Sequence, residues 1–441
     1  MPTPRFSTRR GARQLRPIAA AALAALALAA CGGGADDAGD QGGGGDAGSA
    51  TLTFINAQDP GTFDKVIAGF NKENPKIKIK LQTVPFDDLN STVQSRLGSK
   101  DPSIDLYDVD EPRLAAFAAR GFLLDLSDLA EEAQGRVDEK ALAATKYDGK
   151  QYSMPRWTST QLLFFNRAVL EKARVEAPNS DPKSPMTWEA VAAAGKKAQA
   201  GGAKYGLVFD QVDRYYQLQP LPESAGGGPG VKGDGLTEPD VTNDGWIKAF
   251  TWYASIFEDG ISPRGITPEQ TAATFSNGET AFFAGGPWNA PLFDEAKVDY
   301  GVAPFPMFEG GKPASSTGSW GTGISPFSKN QEAAKKFIRY MTVNPTGATE
   351  ATSRNIPVHQ QARDTYLAEI GGGGERNKQL AEIIRNELAS NAVARPTTVG
   401  FVELESTLNK AFADIRNGTD PAQRLRQAQE ELDRAFAKYQ K

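Results

Sequence analysis

Apolar and polar positions alternate with two different periods along the first hundred residues of the chain body. "TLTFINA" (51–57), "KIKIKLQTV" (76–84) and "SIDLYDV" (103–109) are apolar at every second position, with Ile77, Ile79 and Leu81 on one face. That period predicts half-buried strands. Between them, Phe63, Val66, Ile67 and Phe70, and then Leu89, Val93 and Leu97, recur at helical spacing. A further helix is expected through Leu114 and Phe117. Strand, helix, strand, helix in this rhythm predicts an α/β fold with helices covering a sheet. The pattern returns after Met154: "TQLLFFN" and "KYGLVF" read as strands, and Thr187 to Ala200 as a helix with a threonine N-cap. From Lys335 the chain is mostly helical in pattern and ends in an amphipathic stretch, Pro421 to Lys441. The Gly-rich pieces 226–235 and 371–374 read as exposed loops.

The N-terminus follows neither period. Arg5, Arg9, Arg10, Arg13 and Arg16 precede an Ala/Leu run from Pro17 to Ala30. At ~1.5 Å per residue the run reaches about 21 Å, short of a bilayer core of about 30 Å. Residues 1–30 therefore read as a signal peptide. The Arg9–Arg10 pair leaves the export route, general or twin-arginine, open. The run closes with Leu28-Ala29-Ala30-Cys31 before Gly32, and Cys31 is the only cysteine. No internal disulfide can form. Small residues before a lone Cys resemble a bacterial lipobox, whose Cys becomes N-terminal and lipidated; the alternative is a chance cysteine beside a cleavage site. Residues 31–50 carry no apolar period, and a Gly/Asp composition of this kind predicts a flexible tether spanning roughly 25 Å.

The net charge is −5, and loss of five N-terminal arginines leaves the mature chain more acidic still. An acidic balance argues against a nucleic-acid surface. Residues 51–441 exceed the ~250–300 residues that one core supports, so two domains are expected. Catalytic patterns fail. His359 is the only histidine, which excludes a multi-His metal site. Gly228 to Gly233 matches G-x-G-x-x-G but neither follows a strand nor opens a helix, so no dinucleotide cofactor is expected. "DVTNDG" (240–245) resembles a calcium loop, yet its twelfth position is Thr251. Paired carboxylates for glycoside hydrolysis stay open, because their separation is spatial.

The tryptophans sort into two groups. Trp188, Trp246 and Trp252 lie within helical patterns and read as packing residues. Trp157, Trp288 and Trp320 lie at breaks, in "MPRWTST", "GGPWNA" and "TGSWGTG". A flat apolar ring with one N–H donor at such a break suits a sugar face. Plugging the end of its own sheet is the alternative for each.

Five stretches stand in a recognisable order: "YDGKQYSMPRWTSTQLLFFNRAVLEKA", "PMTWEAVAAAGKKA", "FSNGETAFFAGGPW", "DYGVAPFPMFEGGKPASSTGSWGTGIS" and "AAKKFIRYMT". Together they resemble the extracellular solute-binding family of ABC importers that includes maltose-binding protein. The resemblance implies a two-lobed periplasmic-binding-protein-like α/β fold with discontinuous lobes and hinge crossovers near 156–158, 316–322 and 371–376. Lobe 1 would comprise 51–156 plus 322–372, and lobe 2 157–321 plus 373–441. It implies ligand-binding roles for Trp288 with Gly286, Trp320, Asp110, Arg113, Asp59, the hinge residues Arg156, Trp157 and Thr158, the second-lobe residues Arg214, Tyr215, Tyr216 and Glu223, and Asn355, His359 and Phe401. For Asp59, Glu223 and His359, a helix cap or a solvated ion pair is an equal alternative.

The function so implied is capture of a carbohydrate by a monomeric lipoprotein, anchored outside the cell membrane through Cys31, and delivery to ABC permease subunits. No catalysis, metal or cofactor is expected. Arg113, Arg156, Arg214 and Arg354 leave open an anionic sugar or a glycerophosphodiester. A surface-anchored glycan hydrolase and a ligand-sensing partner of a membrane receptor are the rivals.

Overall fold

Every strand expected from a two-residue period enters one of two sheets. The structure, a computed structural model, describes residues 49–352 and 355–439. The signal peptide expected at 1–30, the lipidation site Cys31, nearly all of the tether and Arg354 lie outside the described residues.

The first sheet contains β1 (Ala50–Asn56), β2 (Ile77–Thr83), β3 (Leu106–Asp110) and β4 (Met154–Thr158), joined later by β9 (Trp320–Ile324) and β10 (Ile356–Pro357). Its order is β10-β4-β9-β3-β1-β2. β2 and β3 flank β1 in parallel, while β9 runs antiparallel between β3 and β4. The second sheet contains β5 (Leu162–Asn166), β6 (Tyr205–Phe209), β7 (Thr280–Gly285) and β8 (Tyr300–Ala303), in the order β8-β5-β7-β6.

Each sheet is apolar on both faces, as covering helices require. In the second, Leu163 and Phe165 enter one cluster with Trp188 and Trp246, while Leu162 and Phe164 enter another with Phe275 and Phe293. In the first, Phe54 and Leu106 pack with Phe337, and Ile55 and Val109 with Leu89 and Leu114. The helices begin where polar caps stop the backbone from competing. Thr187 accepts from the Ala190 N–H at 3.1 Å before the helix Trp188–Ala200, and Asn243 accepts from Trp246 N–H at 3.2 Å before Asp244–Glu258. Asn243 belongs to the calcium-like stretch, and its side chain caps a helix.

The chain passes from the first sheet to the second through Ser159–Gln161 and returns through Gly318 and Ser319. Leu367, in the helix Gln360–Gly371, is buried with Leu162 and Phe164 of the second sheet. The same cluster also holds Ile356 of the first sheet. Among the described residues, no helix is long and apolar enough to cross a membrane.

Candidate ligand-binding cleft

Residues far apart in sequence meet in one row across the first sheet. Asp110 on β3 stands opposite Trp320 on β9, Trp320 opposite Trp157 on β4, and Trp157 opposite Pro357 on β10. Pairing register, which the sequence does not reveal, aligns three of the expected site residues at the edge where the chain crosses to the other sheet.

A cavity of about 510 Å³ opens there. Asp59, Asp110, Trp157, Arg214, Tyr216, Trp288, Trp320 and Asn355 line it, together with Phe86, Ser159, Gln211, Gly318, Arg395 and Glu405. The volume falls within the ~300–1,000 Å³ typical of small-molecule sites.

Its second-sheet wall is built around Trp288. Gly285 ends β7, and Pro287 opens a short turn in which its missing N–H costs nothing. The indole folds back over Gly286 so closely that a Cβ there would lie 1.9 Å from a ring carbon. Gly286 therefore serves the platform without reaching the ligand space. The Trp288 Nε1–H donates to Asp210 Oδ2 at 3.0 Å, and Asn289 Nδ2 donates to the same oxygen at 2.9 Å. Asp210 is buried just beyond β6, and burial raises its carboxyl to about 6 against the pull of these donors. With its N–H committed, Trp288 offers the cavity its ring. Tyr216 stands 6.1 Å away at 40°.

Charge governs the opposite wall. Arg395 grips Asp110 with both terminal nitrogens, one at 2.9 Å from Oδ2. Arg113 donates to Asp110 Oδ2 at 2.7 Å and also to Glu405. Arg113 thus lies behind Asp110, stacked 5.4 Å over Phe401, and not on the cavity surface. Burial raises the Glu405 carboxyl, opposed by Arg113. At the rim, Phe86 is 45% exposed and meets Trp320 edge-on at 5.8 Å. Arg214 sits 5.0 Å over Phe86 and reaches Asp87 and Glu269, each at 3.4 Å.

Besides Gly286 and Arg113, six expected contacts lie elsewhere, each for a physical reason. Arg156 is sealed in the first core, paired with Asp108 at 2.5 Å and surrounded by the rings of Phe54, Phe63 and Trp157. Thr158 points to a second cavity on another face, where its hydroxyl accepts from Ser319. Tyr215 is buried, with its hydroxyl donating to the Pro229 carbonyl at 2.6 Å. Phe401 is fully buried against Tyr215. Glu223 accepts from Gln219 one turn earlier at 3.3 Å. His359 caps the helix Gln360–Gly371 through Nδ1, the capping alternative weighed for it. Burial lowers its pKa.

Of the residues that sequence reasoning missed, Phe86 left a signal as an apolar residue in the acidic turn "PFDD". Arg395 sits before Pro396 in a stretch without period, and Glu405 on an amphipathic helix, so neither stood out. Among the described residues, no His, Cys, Asp and Glu cluster suited to a metal ion occurs.

Residues 56–348 match the bacterial extracellular solute-binding proteins. The chain belongs to that family. A galactooligosaccharide-binding protein of Bacillus subtilis (strain 168) is 24% identical over 400 residues, covering 87% of this chain and 88% of its own. A maltooligosaccharide ABC transporter solute-binding lipoprotein of Streptococcus pneumoniae (strain ATCC BAA-255 / R6) is 25% identical over 332 residues, 72% of this chain and 75% of its own. An ABC substrate-binding protein of Listeria monocytogenes, solved with cycloalternan, superposes with a TM-score of 0.77 at 24% identity, covering 88% of this chain and 98% of that one. The GacH receptor of Streptomyces glaucescens, solved unliganded and with acarbose, gives 0.76 at 22% identity, over 89% and 100%. These likenesses establish the two-lobed α/β fold, and membership places this solute-binding protein outside the cytoplasm.

Proposed function

We propose that this solute-binding protein captures a neutral saccharide between its lobes and delivers it to the permease of an ABC importer, without catalysing a reaction. The observation that carries the reading is the pairing of a partly buried Trp288 ring, its N–H already bound, with charged acceptors on the facing wall. A sugar presents apolar C–H faces to such a ring and hydroxyls to Asp110 and Glu405. The family's binding role and the sugar-binding relatives support the same reading.

Neutrality follows from the ion pairs. Among the described residues, the arginines at the cleft, Arg113, Arg214 and Arg395, all have carboxylate partners. An anionic sugar or glycerophosphodiester would have to displace a carboxylate from a paired, largely buried guanidinium, which is costly. The same pairing weighs against hydrolysis, since Asp110 and Glu405 are engaged by arginines. Lipidation at Cys31, with the monomeric body held at the outer membrane face, completes the proposal. Cys31→Ser should move the protein from the membrane fraction to the soluble one.

A thermal-shift screen of neutral, acidic and amino saccharides tests the ligand class. A true ligand at 100 times its Kd stabilises by ~2.7 kcal/mol. A midpoint raised by a peptide or polyamine and by no saccharide would sink the proposal. Trp288→Ala should keep the fold and cost about 2 kcal/mol of binding, roughly thirtyfold in Kd. Unchanged affinity by calorimetry would remove Trp288 from the site.

A further inference from the structure

The first two chain crossings meet at one side chain. Ser159 follows β4 on the first crossing and is 3% exposed. Its Oγ accepts from the Gly318 N–H of the return crossing at 2.8 Å. The same Oγ lies 2.8 Å from the Tyr216 hydroxyl, a buried hydrogen bond in which either can donate. Gly318 is what allows this approach: a Cβ there would lie 2.6 Å from Ser159 Oγ and 3.0 Å from the Tyr216 ring. The Tyr216 ring meets two further residues of the cleft. Trp288 flanks it at 6.1 Å, the Arg395 guanidinium sits 5.4 Å over it, and Arg395 in turn holds Asp110 of the first sheet.

Any change in the angle between the lobes must turn the backbone at Ser159–Gln161 and at Gly318. Tyr216 is carried by the second lobe, so such a turn strains or breaks its bond to Ser159. A buried phenol without a partner is unfavourable, so the arrangement that keeps the bond is favoured. We infer that the Ser159–Tyr216 bond ties the aromatic wall of the cleft to the hinge, making Ser159, at the cavity's edge, a positioning residue that biases lobe closure through Tyr216. Ligand stacked on Trp288 and Tyr216 then stabilises the same ring placement that the hinge bond requires, and binding and closure become coupled. The role of Tyr216 toward ligand rests on the proposed function; its bond to the hinge does not.

The test separates these two. Spin labels at Glu73→Cys and Lys197→Cys, exposed positions on the two lobes, in a full-length Cys31→Ser background, report the lobe-to-lobe distance by pulsed electron resonance. Ser159→Ala removes the hinge partner, and Tyr216→Phe removes only the hydroxyl. Each should move the ligand-free distance distribution in the same direction, and the double variant should move it no further than either alone. With maltotriose as the probe, each single variant should weaken binding a few-fold, again without summing in the double. Ligand-free distributions identical to that of the unsubstituted protein, or shifts that add in the double variant, would overturn the inference. Shifted distances in a protein that binds no saccharide would support the hinge role and count against the proposed ligand class.

Discussion

Buried aspartates stand at corresponding strand ends on the two walls of the cleft, and their surroundings differ. On the first sheet, Asp108 and Asp110 point to the same face of β3, and arginines meet both. On the second, Asp210 just past β6 meets only neutral donors: an indole, an amide and, through its carbonyl, the Thr271 hydroxyl. A guanidinium compensates a buried charge in place, so the first wall holds fixed ion pairs. Burial raises the Asp108 carboxyl even against Arg156, and with neutral hydrogen-bond donors the Asp210 carboxyl rises to about 6. The first wall is thus electrostatically set, while the second presents an aromatic surface over an acid that titrates near neutrality. The first wall divides again. Asp108–Arg156 lies wholly within one core, whereas Asp110 joins residues from both lobes.

Breaking the sealed pair should have the largest effect. Arg156→Ala leaves Asp108 charged in an apolar core, because Gln58 is its other side-chain partner. The expected loss is about 3–5 kcal/mol in denaturant unfolding. Folded molecules should still bind ligand normally, since Arg156 does not reach the cavity. Full stability with weakened binding would invert its place in the comparison.

Arg395→Ala should cost less stability and more binding. Asp110 keeps Arg113, so roughly 2 kcal/mol is expected from the lost charge-assisted bonds. The cation over Tyr216 and the direct bonds from Asp110 to Arg395 both disappear, leaving the bridge through Arg113 to Glu405. Calorimetric titration with a saccharide identified by thermal shift should therefore show weaker binding than Arg156→Ala does. Equal affinities in the two variants would mean that the cleft pair is as remote from ligand as the sealed one.

The contrast explains what could be read from the chain alone. The strands, their covering helices and the three break tryptophans were legible because each is a local pattern. Trp157 lines the cavity, yet at 2% exposure it also stacks on Phe63 in the core. Arg156 is expected at the ligand because the family resemblance places it in the first hinge. Its neutralising partner, Asp108, lies 48 positions earlier and is brought in by sheet order. Arg395 and Glu405 were hidden for the same reason, since only the tertiary fold brings them to Asp110. Asp210 marks the limit most sharply. It reads as one acid among many after a strand, and only the fold brings Trp288 and Asn289 to it.

The smallest expected effect sharpens the difference between the walls. Between the ordinary carboxyl value of 3.8 and its folded value of about 6, Asp210 holds a proton when folded and releases it when unfolded. Stability therefore falls as pH rises through that window. Asp210→Asn keeps one oxygen to accept from both Trp288 and Asn289 and removes the buried charge, though it also gives up attraction to Arg214. The shift of about two units sets a ceiling near 3 kcal/mol, and roughly 1 kcal/mol of net stabilisation is expected at pH 7. The advantage should shrink as pH falls below about 6 and vanish near 4. Asp108→Asn, by contrast, strips Arg156 of its counter-charge and should destabilise at pH 7. Melting curves of both variants across that range would decide the matter. Destabilisation of Asp210→Asn at pH 7 with no pH dependence would mean that Asp210 is held as firmly as the paired acids opposite, and the two walls would then be alike.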